Sequence, residues 1–127
     1  MGSYGAAQIS EAEMTILYKI MPQKQWAEAK IRGIYEGSEV DKKDGFIHLS
    51  AAQQVRSTVE KHFKGQSDLL LVSVRQDCLG ATLKWEVSRG GALFPHIYGA
   101  LPLTATAEVV SLPLLNGVHQ FPEGFPQ

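Results

Sequence analysis

Apolar residues recur along the chain with different spacings, and each spacing predicts a different element. Thr15-Ile16-Leu17-Tyr18-Lys19-Ile20 is rich in β-branched and aromatic residues and predicts a first strand. Pro22 suits the first turn of a helix that runs through Trp26, Ala27, Ala29 and Lys30 and stops near Gly33. Trp26 and Ile31 are its expected inward anchors. Further on, Ala51, Val55, Val59 and Phe63 recur every four residues, the stripe of an amphipathic helix. Ser50-Ala51-Ala52-Gln53 matches a capping box at its start, and the helix ends before Gly65. His62 falls within the stripe and reads as a packed, hydrogen-bonded core histidine. Leu69 to Val74 is an almost unbroken apolar run, which belongs to an interior strand covered on both faces. Leu83, Trp85 and Val87 alternate with Thr82, Lys84 and Glu86, predicting a half-buried strand with the apolar set inward.

Between these elements the pattern is polar or broken. Gly37 to Gly45 reads as a loop carrying Asp41, Lys42, Lys43 and Asp44, closed by the turn signal Asp44-Gly45. Phe46-Ile47-His48-Leu49 follows as a short strand. Phe94 to Gly99 is extended, and Pro95 should keep it away from the centre of a sheet. Ala105 to Leu112 is a last strand, and beyond Asn116-Gly117 a tail bearing Phe121 and Phe125 drapes over the body. Residues 1–13 are small and polar and are expected to form a flexible N-terminus, leaving 14–127 as a single domain. Late strands follow one another without helices between them, which points to α+β rather than a doubly wound parallel sheet.

Composition narrows the class. With 127 residues and 44% apolar content, the chain can bury a core without cross-links. A formal charge of −1 does not suit a general duplex-binding protein, so no nucleic-acid partner is expected. The modest basic run Arg56, Lys61, His62 and Lys64 reads as a solvated helix face. Cys78 is the only cysteine and lies beside Asp77 with no evident base, so it reads as a semi-buried structural thiol. No apolar run is long enough to cross a bilayer, and the first residues lack a signal-peptide pattern, so no membrane partner and a cytoplasmic location are expected. Four widely spaced histidines without a cysteine pair give no zinc signature, and no bound metal is expected. There is no Walker loop, dinucleotide fingerprint or nucleophile elbow.

Candidate chemistry gathers in three stretches. In an extended segment Phe46, His48 and Ser50 share one face and Ile47 and Leu49 the other, which sends His48 away from the core. It also stands at a strand-to-helix junction, where free amides favour an anion. Ser50, Gln54 and Thr58 follow at helical spacing, forming either a solvated flank or one wall of a cleft. Glu86 opposes the apolar set of its strand and could act as a base or accept from ribose hydroxyls. Arg89 before two glycines suits a bidentate grip on phosphate or carboxylate, or else a surface ion pair with Glu86. His96 and Tyr98 share a face, His as a donor to oxygen and Tyr as a stacking platform, unless the Tyr packs inward.

Several of these stretches resemble a known family. Tyr18-Lys19-Ile20, Trp26, Asp44 to Ser50, Gln54, Thr58, Lys84-Trp85-Glu86 and Phe94 to Gly99 are similar to the domain of unknown function 952 family, over about residues 15 to 115. The resemblance implies an ADP-ribosyltransferase-like fold: two small, mostly antiparallel sheets with two helices and a cleft between. His48-Leu49-Ser50 is similar to the His-Gly-Ser motif that cradles nicotinamide and its ribose in the poly-ADP-ribose polymerase branch, with Leu49 where that motif has glycine. The implied ligand is small and anionic or nucleotide-like, with NAD as a possible substrate and no certain cofactor. On this reading His48, Glu86 and Tyr98 are catalytic, holding the ribose, stabilising positive charge and stacking the leaving base. Ser50, Gln54, Arg89 and His96 bind the ligand. A non-catalytic binding module on the same fold is the alternative, and a partner-binding surface around Phe121 and Phe125 is a third.

Overall fold

The computed structural model describes residues 15–126, and the expectation for residues 1–13 lies outside them. The architecture is α+β, with small antiparallel sheets and few helices. The larger sheet has the order β4-β1-β5-β9, formed by Ser50–Ala51, Ile16–Pro22, Leu69–Arg75 and Thr106–Leu112. Leu69 to Val74 is buried throughout, as its apolar run requires of an interior strand. The second sheet has the order β3-β7-β6, from Ile47–His48, Leu93–Ile97 and Leu83–Val87. Two short ribbons complete the set: β2 (Ile34–Tyr35) with β8 (Leu101–Pro102), and β10 (Leu114–Leu115) with β11 (Val118–His119).

The period-two alternation of β1 and β5 feeds two cores. Leu17, Met21, Leu70, Val72 and Val74 face the smaller sheet and meet Ile47, Leu49 and Ile97. Ile20, Leu69 and Leu71 face the other way and meet Val55 and Val59 of α3 (Val55–His62). The four-residue stripe therefore forms as expected, but His62 does not join it and stands exposed at the end of the helix. Helix α1 (Gln23–Arg32) has Pro22 at its N-cap and Gly33 in the left-handed conformation after its last turn. Trp26 packs on the core, whereas Ile31 is 86% exposed because it lies on the solvent side of this helix.

The stretch expected to be a loop contains a helix, α2 (Glu39–Asp44). Ser38 Oγ accepts from the Asp41 amide, and the Asp41 carboxylate accepts from the Ser38 amide, a reciprocal capping box. The Asp44-Gly45 signal marks the end of this helix, with Gly45 left-handed. Gly37 enters it at φ 110°, and a Cβ there would come 2.8 Å from the Asp41 Cβ. Gly37→Ala is expected to cost about 1–3 kcal/mol, seen as a lower midpoint of urea unfolding. The capping box expected at Ser50 is displaced by one residue: Gln54 Oε1 accepts from the Ala51 amide, and Ser50 belongs to β4.

Three other expectations are corrected. Val87 is 69% exposed and Trp85 39%, since β6 is an edge strand whose apolar face is covered only near Leu83. Cys78 is exposed in a short turn. Pro95 occupies the central strand of its sheet. It is tolerated because β3 ends opposite His96: there the Leu49 amide donates to the Pro95 carbonyl at 3.0 Å, and only the reciprocal bond is missing. Phe121 and Phe125 do drape over the body, stacked on each other, with Phe125 edge-on to Tyr18 and the Arg56 guanidinium 4.5 Å from the Phe121 ring. That packing leaves both rings half-buried.

Candidate functional site

A cleft of about 610 Å³ opens where the two sheets part. The chain passes from the smaller sheet at His48 to the larger at Ser50 across one residue, Leu49. Strand β4 covers β1 only at Leu17 and Tyr18, so beyond it Lys19, Ile20 and Pro22 border the cleft. Helix α3 supplies Thr58 and His62, and the smaller sheet with its following turn supplies Phe94, His96 and Arg89.

On one side lies a chain of charges. Lys19 shares the core-facing side of β1 with Leu17 and Met21 and is 6% exposed, while Asp41 is 2% exposed. The Lys19 ammonium lies 2.8 Å from Asp41 Oδ2 and donates to the His48 carbonyl at 3.0 Å. Asp41 Oδ1 accepts from the His48 amide at 3.1 Å and contacts His48 Nδ1 at 2.6 Å. His48 Nε2 in turn reaches Asp44 Oδ2 at 3.0 Å. Burial pushes the Asp41 carboxyl up, but the His48 hydrogen bond and the Lys19 charge outweigh it and hold the group well below the usual carboxylate range. Burial pulls the Lys19 ammonium below its ordinary value, with Asp41 opposing. Both nitrogens of His48 thus face carboxylates.

The second histidine is built differently. His96 pairs with His48 across β3 and β7, their rings 5.4 Å apart. Phe46 stacks on His96 at 4.1 Å and touches His48 at 4.7 Å. Behind His96, Nδ1 lies 2.7 Å from Glu86 Oε1, which also accepts from the Tyr98 hydroxyl at 2.8 Å. Those two hydrogen bonds lower the Glu86 carboxyl, and the same bond to Glu86 raises the Tyr98 phenol. With Nδ1 engaged, Nε2 is the ring nitrogen left for the cleft, the arrangement of a general acid or base oriented by a carboxylate.

Arg89 completes the site. Its Nη2 donates to Thr58 Oγ1 at 3.0 Å and Ser57 Oγ at 3.2 Å, and its guanidinium lies 4.7 Å from the Phe94 ring. The hydroxyls of Thr58 and Ser50 are 3.1 Å apart. Among the described residues no carboxylate is within ion-pair distance of Arg89. Burial and then the neighbouring charges of Arg89 and His48 push the His62 imidazole below its ordinary range.

Of the residues singled out from sequence, His48, Ser50, Thr58, Arg89 and His96 line the cleft. Glu86 and Tyr98 do not; they sit behind His96, and the alternative reading of Arg89, a surface pair with Glu86, does not form. Gln54 is also outside, its amide bridging the Ala51 N–H and the Leu93 carbonyl. Lys19, Asp41, Asp44 and Phe46 were missed. A lysine on the apolar face of a strand was the available signal for the first, and Ser38-Glu39-Val40-Asp41 was the available helix-start signal for the second. No group of three or more metal-ligating side chains occurs among the described residues.

Residues 20–109 match the family described as Protein of unknown function (DUF952). The chain belongs to this family. It is similar to the crystal structure of protein CC0527 from Caulobacter crescentus, with 48% identity, a TM-score of 0.80 and coverage of 84% of this chain and 94% of that one. The solution NMR structure of the same Caulobacter protein matches with a TM-score of 0.75 over 84% of this chain and 93% of the other. No curated protein matches. None of the helices of this family member, among the described residues, is long and apolar enough to cross a membrane.

Proposed function

We propose that the cleft binds a small phosphorylated ligand of the nucleotide or ADP-ribose class, with His96 as the group placed to exchange a proton with it. The observation that carries this reading is Arg89: a half-buried guanidinium on the cleft wall, with two hydroxyls and an aromatic ring as its neighbours and, among the described residues, no carboxylate within ion-pair distance. Burial first, and then the Arg89 charge, push the His62 imidazole toward its neutral form, and an arriving anion would offset the second of these. Half-buried Tyr18 on the wall offers an aromatic surface to a ring. Glu86 holds His96 from behind and Tyr98 holds Glu86, so in this reading both are positioning residues. An ADP-ribosyltransferase-like relationship accords with a cleft between two antiparallel sheets, and under it NAD is the substrate.

Thermal unfolding with NAD, ADP-ribose and inorganic phosphate tests the reading. A ligand at 100 times its Kd adds roughly 2.7 kcal/mol of stability, a rise of several degrees in Tm for a domain of this size. The rise is expected with at least ADP-ribose, and a flat Tm with all three overturns the proposal. Release of nicotinamide from NAD distinguishes turnover from binding alone. His96→Gln is expected to abolish the release while preserving most of the Tm rise.

A further inference from the structure

We propose that β6 is a self-recognition edge, and that two copies of this chain join through it into one six-stranded sheet. The backbone alternation gives the first reason. The Tyr98 amide donates to the Thr82 carbonyl and the Ser88 amide to the Ala92 carbonyl, so Thr82, Lys84, Glu86 and Ser88 turn their backbone groups toward β7. Trp85 and Val87 therefore turn theirs outward together with the Leu83 carbonyl, while the Leu83 amide donates to the Gly80 carbonyl, and no other strand of the described residues borders β6. An open strand edge is a template for another strand.

Side-chain chemistry says which strand fits. In an antiparallel pair centred on Trp85, each Lys84 stands opposite the partner's Glu86, and each Leu83 opposite the partner's Val87. Oppositely charged residues facing one another across strands are favourable, and like charges are not. Both charges can be shared: among the described residues Lys84 makes no ion pair and acts on Glu86 of its own strand only through its charge, and the bonds from His96 and Tyr98 use only Oε1 of Glu86. On the opposite face, Trp85 and Val87 are exposed beside Leu93, at 39%, 69% and 51%. They would continue into the partner's copy of the same patch. The other long edge strand, β9, offers no such match, because its only charge is Glu108 and in the centred register it faces an apolar residue.

Pairing in this register has a consequence for the cleft. The partner's Lys84 would come to Glu86, the carboxylate that holds His96. The partner copy would thus add a cation behind the proton-exchanging histidine.

Sedimentation equilibrium from micromolar to millimolar protein tests the proposal. A concentration-dependent dimer is expected, lost in Lys84→Glu, which sets four carboxylates at the seam, and in Trp85→Arg. Far-UV circular dichroism and Tm of both variants check that the fold survives. Amide exchange supplies a second reading: the Trp85 N–H is expected to become protected as concentration rises in the unmodified chain, and not in Lys84→Glu. A chain that stays monomeric at millimolar concentration, or a dimer unaffected by Lys84→Glu with Trp85 N–H still exchanging, overturns it.

Discussion

Asp41→Ala is expected to destabilise the protein by about 3–5 kcal/mol, the range seen when one partner of a buried ion pair is removed. Against a total of about 5–15 kcal/mol for ordinary domains, this leaves a large unfolded fraction under mild denaturant. The reason is that Asp41 receives four donors: the Lys19 ammonium, the Ser38 amide, and the amide and Nδ1 of His48. Truncation strands a cation at a site only 6% exposed and removes the carboxylate half of the α2 capping box, while Ser38 Oγ keeps its bond to the residue-41 amide. The double variant Lys19→Met, Asp41→Asn is expected to recover part of the loss, because it removes the uncompensated charge and keeps an acceptor for the amides. Urea unfolding of the two single variants and the double separates these terms. A purely additive result would show that Lys19 and Asp41 do not act as a pair.

The same residue sets a direction with pH. A carboxyl whose folded value is depressed contributes stability above its unfolded value, about 3.9, and loses it as pH falls toward the folded value. The protein is therefore expected to lose stability progressively below about pH 4, and Asp41→Asn is expected to flatten that acid limb.

The second large effect belongs to Arg89. Arg89→Ala is expected to weaken binding of a phosphorylated ligand by roughly 10- to 150-fold, since a hydrogen bond to a charged group contributes about 1.5–3 kcal/mol. Arg89→Lys is expected to restore little. The guanidinium carbon lies over the Phe94 ring at 4.7 Å while Nη2 bonds Thr58 and Ser57, and an ammonium cannot grip two oxygens from a planar fork. Titration calorimetry with ADP-ribose measures both variants. Binding unchanged in Arg89→Ala would place the anion elsewhere. Protein stability should fall little, because the residue joins a turn at the cleft's rim rather than either core.

How much was legible beforehand varies with the kind of signal. The interior strand at Leu69 and the helical stripe of Val55 and Val59 were readable because apolar period reports burial directly. The outward face of β6 was not, since the alternation of Leu83, Trp85 and Val87 says which residues share a side but not whether anything covers it. The pairing of His48 with His96 depends on register between strands nearly fifty residues apart, which no local pattern encodes. Asp41 was hidden in a polar run. Its role depends on Lys19, a lysine whose position on the core face of β1 was the sole hint that a buried acid must exist.

Pro95 shows how a single missing hydrogen can shape a molecule. At Leu49 the chain leaves one sheet for the other, and an ordinary residue opposite it would return the second bond of the pair and let the ladder run on. The imino acid returns no such bond, and the next residues, Ser50 and Ala51, pair with β1 of the other sheet instead. The hollow that Arg89 and His96 line lies beside this change of partner, where the backbone has one donor fewer to offer.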